Sequence, residues 1–150
     1  MSLLSRLFGS KSSLPSVDNA TFGRMQAVVD YGNGRYSWEV DAPISTKLGE
    51  MEPMFDAPES GPTIEQVAKW KELVESAEQH KADAREILLK HMAGFKHEGQ
   101  IDNLELVSID LHDRPDLEFD WSMAFELVDE GFLYTVLFTG DEPTTVTVDG

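Results

Sequence analysis

The stretch DLEFDWSMAFELVDEGFLYTVLFTG, residues 116–140, constrains the fold more than any other part of the chain. Leu117, Phe119, Trp121, Met123, Phe125 and Leu127 alternate with Glu118, Asp120, Ser122, Ala124 and Glu126. A period of two marks a strand with one packed face and one wet face. Asp129-Glu130-Gly131 supplies a turn, after which Phe132, Tyr134, Val136 and Phe138 resume the alternation. An isolated hairpin is marginal in water, so further strands or a helix must cover its apolar side.

The rest of the chain supplies both. TFGRMQAVVD and RYSWEVDAP read as two strands around YGNG, because Asn-Gly tolerates the positive φ of a tight hairpin turn. A third extended piece around residues 44–55 lies among Pro43, Pro53 and Pro58, which places it at a sheet edge or in a loop. Thr63 with Gln66 three residues on forms a capping box at a helix start. Ile64, Val67, Trp70, Val74, Ala77, Ala84, Ile87 and Leu88 then recur at helical spacing, predicting one helix of about seven turns. Gly94 suits its C-cap, with Lys90 and His91 in the last turn. IDNLELVSIDL, residues 117–127, residues 132–139 and TTVTV complete a β-meander.

The expected fold is therefore α+β: an antiparallel β-meander sheet packed against one long α-helix. Trp38, Trp70, Phe119, Trp121 and Phe125 are its candidate core. Residues 1–20 read as a flexible N-terminal tail and linker, small and polar over GSKSSLPSVDNA, and residues 21–150 as a single domain. At this length a domain buries roughly 70% of the surface of its unfolded chain and needs no covalent staple.

Charge bears on partners. The formal net charge is −16. Residues 1–17 contain Arg6 and Lys11 and no acid, whereas residues 98–150 contain 14 acids and a single arginine, Arg114. Such a surface repels nucleic acid and anionic membranes and attracts a basic protein. Acidity also serves solubility, and that plain reading stands beside the first. The absence of cysteine excludes disulfides, thiolate metal sites and a cysteine nucleophile, and it fits a reducing, cytoplasmic setting. No apolar run approaches the ~20 residues of a spanning helix. Leu3, Leu4, Leu7 and Phe8 in MSLLSRLFGSKSS make a short amphipathic stretch that suits a packing latch or a contact with a membrane or partner.

Catalytic patterns are sparse. The chain has no phosphate-binding glycine loop, no G-x-S-x-G elbow and no H-E-x-x-H. His80 and His91 share a helix face but stand ~16 Å apart, too far to hold one metal. His112 beside Asp113 suggests acid–base chemistry, but neighbours on a strand point to opposite faces and Pro115 marks a turn. No cofactor or metal is expected. The acids in and around the alternating strand, Glu118, Asp120, Glu126, Asp113 and Asp116, read either as a solvated face or as a docking surface for a basic partner. Tyr31, Tyr36 and Tyr134 are candidate anchors for the second reading.

The runs AEQHKADAREILLKHMAGF, LELVSIDLHDRPDLEFDW and DEGFLYTVLFTGDEPTTVTVDG resemble an uncharacterised bacterial family of small acidic proteins, a domain of unknown function. In size and acidity such families are similar to immunity proteins. The resemblance implies a non-enzymatic cytoplasmic inhibitor that binds a basic cognate toxin, and it implies no catalytic residue. The alternative is an adaptor tethered through its N-terminal amphipathic tail, and after that a small-ligand binder or an enzyme with a pocket between sheet and helix.

Overall fold

The computed structural model describes residues 13–150. The amphipathic stretch from Leu3 to Phe8 lies outside them. Among the described residues, ten strands and two α-helices follow one another. Strands β1 (Ser16–Asn19), β2 (Gly23–Gly32), β3 (Arg35–Val40) and β6 (Met54–Pro58) form one half of a sheet. Strands β7 (Leu104–Leu111), β8 (Trp121–Leu127), β9 (Phe132–Thr139) and β10 (Glu142–Asp149) form the other half. The order across the eight strands is β1-β2-β3-β6-β7-β8-β9-β10. All neighbours are antiparallel except β6 and β7, which run parallel through the register Phe55↔Leu111. Strands β4 (Ile44–Thr46) and β5 (Gly49–Met51) make a separate hairpin.

A parallel pair needs a long crossover, and helices α1 (Ile64–Glu75) and α2 (Ala77–Met92) provide it between β6 and β7. This corrects the sequence-based expectation of a plain meander under one long helix. The described part of the protein is mostly β, with 45% of its residues in strands, a mixed sheet and two short helices. The apolar stripe runs past Ser76, but the helix breaks there: Ser76 has φ −94° and ψ 8°, and its N–H is shared between the Glu72 and Val74 carbonyls. A physical reason is sheet twist. Each strand is rotated by roughly 20–25° from its neighbour, so one straight rod cannot follow the surface from β7 to β10. The break lets α1 pack on β7 while α2 packs on β10. Ile64, counted in the stripe, is 86% exposed.

Other local expectations hold. Asn33 and Gly34 take positive φ, 54° and 74°, in the β2–β3 turn. The Thr63 hydroxyl accepts from the Gln66 N–H at 3.1 Å, and the Gln66 side-chain oxygen accepts from the Thr63 N–H at 3.0 Å. Three details differ. Ser16–Asn19, within the expected linker, pair with β2 as a strand. The proline-flanked piece forms the β4–β5 hairpin and then β6, a central strand rather than an edge, since Pro53 and Pro58 bracket it without interrupting it. Strand β8 begins at Trp121, because a turn closed by the Leu117 N–H on the Arg114 carbonyl occupies the preceding residues. Phe119 is accordingly half-buried, lying edge-on to His112 at 5.1 Å, and does not join the core.

The core lies between the sheet and the helices. Trp38, Phe55, Ile109, Trp121, Met123 and Phe138 are all buried. Trp121 stacks on Phe138 with ring centroids 4.0 Å apart. Each tryptophan N–H finds a carbonyl: Trp38 donates to Pro58, Trp70 to Ile109 and Trp121 to Gly140. A buried indole left without an acceptor is costly, so these bonds fix where each ring sits.

Candidate functional site

Strand register sends a second set of side chains to the face away from the helices. Trp38 pairs with Phe55, so Ser37 and Glu39 fall on the other side with Asp56 and Met54, their partners across β3 and β6. Ile109 pairs with Met123, so Ser108 and Asp110 fall there with Ala124 and Ser122. This face was expected to be wet. In its centre it is not: Glu39 is 5% exposed, Asp56 4% and Ser122 1%. The β4–β5 hairpin folds over it, with β5 packed on β7.

Between that hairpin and the sheet lies a groove of about 440 Å³. Val40, Met51, Met54, Val107 and Leu133 supply apolar walls. Glu39, Glu50, Glu52, Asp110 and Glu126 supply carboxylates, and the described residues that line the groove include no lysine, arginine or histidine. Burial raises two of these carboxylates, Glu39 and Asp110. Burial pushes the Glu39 carboxyl up to about 7, and the charges of Glu52 and Asp110 push in the same direction. Burial also raises Asp110, opposed by the Ser108 hydroxyl donating at 2.6 Å and the Met54 N–H donating at 2.8 Å. At the groove's end Glu126 faces Glu105 directly across the β7–β8 ladder. Like charges in that position destabilise a sheet.

A second arrangement adjoins the groove. His112 Nε2 lies 2.9 Å from the Ser122 Oγ, and its Nδ1 lies 3.5 Å from an Asp56 carboxylate oxygen. The order of contacts is that of nucleophile, base and orienting carboxylate. Accessibility decides against that role. Ser122 is 1% exposed and is paired to Asp110 on one side and Leu137 on the other. A nucleophile needs an open approach for the substrate and donors converging on the oxyanion. In this geometry the three residues stitch β6, the end of β7 and β8 together.

The five acids singled out from the sequence do not form one patch. Glu126 lines the groove. Asp113 and Asp120 line a separate cleft of about 290 Å³ that also holds Glu65, Lys69, His112 and Trp121. Asp113 accepts from Arg35 at 2.6 Å. Asp120 accepts from the Gly140 N–H at 2.8 Å and so fixes the β9–β10 turn. The Arg114 guanidinium donates to Asp116, which raises Arg114 and lowers Asp116, and it lies over the Tyr31 ring at 4.2 Å. Glu118 is exposed, and its backbone carbonyl accepts from the Thr139 hydroxyl. Tyr134 is buried against His97 and is no surface anchor.

Glu39, Glu50, Glu52 and Asp110 escaped the sequence reading. Their signal was local and real: Glu39 alternates with Trp38 in RYSWEV, and Asp110 alternates with Ile109 and Leu111 in SIDL. Their convergence depends on the β6–β7 pairing, which no local pattern announces.

Comparison of the chain with protein-family models, with curated proteins and with solved structures returns no match. The groove must therefore be interpreted from its own chemistry. Among the described residues no cluster of histidine and acids has the geometry to hold a metal ion. No helix among them is long and apolar enough to cross a membrane.

Proposed function

We propose that this domain is a non-enzymatic binding module that takes a basic, partly apolar segment of a partner protein into the groove between the β4–β5 hairpin and the sheet. One observation carries the reading: Glu50, Glu52, Asp110 and Glu126 surround apolar walls, and the described lining residues include no basic side chain. A cation entering there relieves repulsion among the acids, while its apolar neighbours cover Met54 and Leu133. Long-range attraction from a chain of net charge −16 steers such a partner inward.

An immunity-type inhibitor of a basic toxin is the specific form this takes, supported by the resemblance in size and acidity and by the acid groove. A cytoplasmic site of action belongs to the same reading, and a chain without cysteine is compatible with it. The test is capture of a partner from the cell that makes this protein, by the full chain and by a Glu50→Lys, Glu52→Lys, Glu126→Lys variant, at low and high salt. The reading expects one stoichiometric basic protein that the variant fails to hold. Equal capture by both chains overturns it.

A further inference from the structure

A cleft of about 320 Å³ opens beside the break at Ser76, on the helix side of the sheet and away from the acid groove. Glu72, Ser76, His80 and Asp83 line it from successive turns of α1 and α2, and Asp141 lines it from the β9–β10 turn. His80 sets this cleft apart from an ordinary polar surface. It is 6% exposed, neither ring nitrogen bonds a described residue, and Nδ1 is fully enclosed. Buried polar side chains nearly always have a partner, so an imidazole without one calls for a reason. The Trp121 and Phe138 rings meet it edge to face, with centroids 4.8 and 5.8 Å away, and fix its position. With Nδ1 enclosed, Nε2 is the ring nitrogen that can meet a ligand in the cleft.

The charge around His80 is one-sided. Glu72, Asp83 and Asp141 supply carboxylates, and Lys69 supplies an ammonium. Lys69 also lines the neighbouring cleft with Glu65, Asp113 and Asp120, so its flexible stem can turn the ammonium to those acids. Two of the carboxylates are positioned by the fold. The Gln79 side-chain amide donates to Asp83 at 3.2 Å. Asp141 follows Gly140, whose N–H donates to Asp120 and whose carbonyl accepts from Trp121. Glu72 and Asp83 are eleven residues apart in sequence, about 16 Å along a helix, with His80 between them. A compact cation cannot reach both. That spread does not suit a metal ion, and no metal-binding cluster occurs among the described residues. A chain of spaced ammonium groups can reach both, with its methylenes over Leu73 at the cleft wall.

From this cleft we infer a binding site for a small linear polyamine. Its ammonium groups meet Glu72, Asp83 and Asp141, and one of its N–H groups donates to His80 Nε2. The ligand then supplies the hydrogen bond that the described residues do not give this imidazole. The site is independent of the groove and of the partner proposed for it.

The test titrates spermidine into the full chain, labelled with heavy nitrogen, at physiological salt. The chain has four histidines, and His80→Gln identifies the His80 ring signals in long-range proton–nitrogen spectra. The site predicts saturable movement of the His80 Nε2 signal while the His91 and His97 signals stay in place. Butylamine, with a single ammonium, should bind about tenfold more weakly or worse. Asp83→Asn together with Asp141→Asn should weaken spermidine binding by about tenfold or more, because hydrogen bonds between charged groups are lost. The Glu50→Lys, Glu52→Lys, Glu126→Lys variant should change it little, since salt screens charges on the far face. The native chain alone can overturn the proposal, by an unmoved His80 signal at millimolar spermidine. A shift that survives the Asp83 and Asp141 changes, or that the groove variant loses equally, also overturns it.

Discussion

Glu126 on β8 faces Glu105 on β7 directly across an antiparallel ladder, two carboxylates where a sheet gains from opposite charges or apolar pairs. Glu126 also lines the groove, so the repulsion sits at the site itself. A cationic ligand would relieve the repulsion, and no described lining residue carries a positive charge.

From this pair comes the first prediction. Glu126→Gln should raise stability by about 0.5 kcal/mol at low salt, with the gain shrinking as salt screens the pair. Urea unfolding at two ionic strengths checks it. A loss of stability at low salt would show that Glu126 is held by favourable contacts instead.

Glu39 sets a pH dependence. Its carboxyl is raised from an ordinary value near 4.5 to about 7, mainly by burial and then by Glu52 and Asp110. Between those values the folded state holds a proton that the unfolded state has released. Stability should therefore fall as pH rises from about 4.5 to about 7 and then level off. Glu39→Gln should flatten that part of the profile in denaturant titrations. An unchanged slope would place the titrating group elsewhere.

Trp121 tests the core. It is 1% exposed, stacks on Phe138 and donates to the Gly140 carbonyl at 2.7 Å. Trp121→Ala should cost about 3–5 kcal/mol of unfolding free energy. A loss under 1 kcal/mol would mean that the stack is not part of the folded core.

Gly61 tests the approach of β1 to the start of α1. Its φ is +87°, and an added Cβ would come within 2.8 Å of Val17 Cγ2. Gly61→Ala should destabilise by more than the ~1 kcal/mol of an unfavourable backbone conformation alone, because Val17 must also move. Val17→Ala should recover part of the loss in a double-mutant cycle.

Much of the fold was legible in local pattern. The Asn33-Gly34 turn, the Thr63 capping box and the alternation from Trp121 to Phe138 are decided by neighbours in sequence, and they stand where the sequence put them. The break at Ser76 was not legible, because an apolar stripe continues across it. The place of β6 was hidden for a related reason. Its prolines argue for an edge, and its central position follows from pairing with β7 nearly fifty residues later. The groove inherits that blindness: Glu126 was visible on an alternating strand, while Glu39 and Asp110 join it only through the β6–β7 contact.

The most direct test of the account is salt-dependent capture by the full chain against the Glu50→Lys, Glu52→Lys, Glu126→Lys variant, with folding of the variant confirmed by its unfolding transition. The account predicts a basic protein held stoichiometrically by the native chain at low salt, released as salt rises, and not held by the folded variant. A basic partner bound equally by both chains would contradict it and move the interface away from the groove.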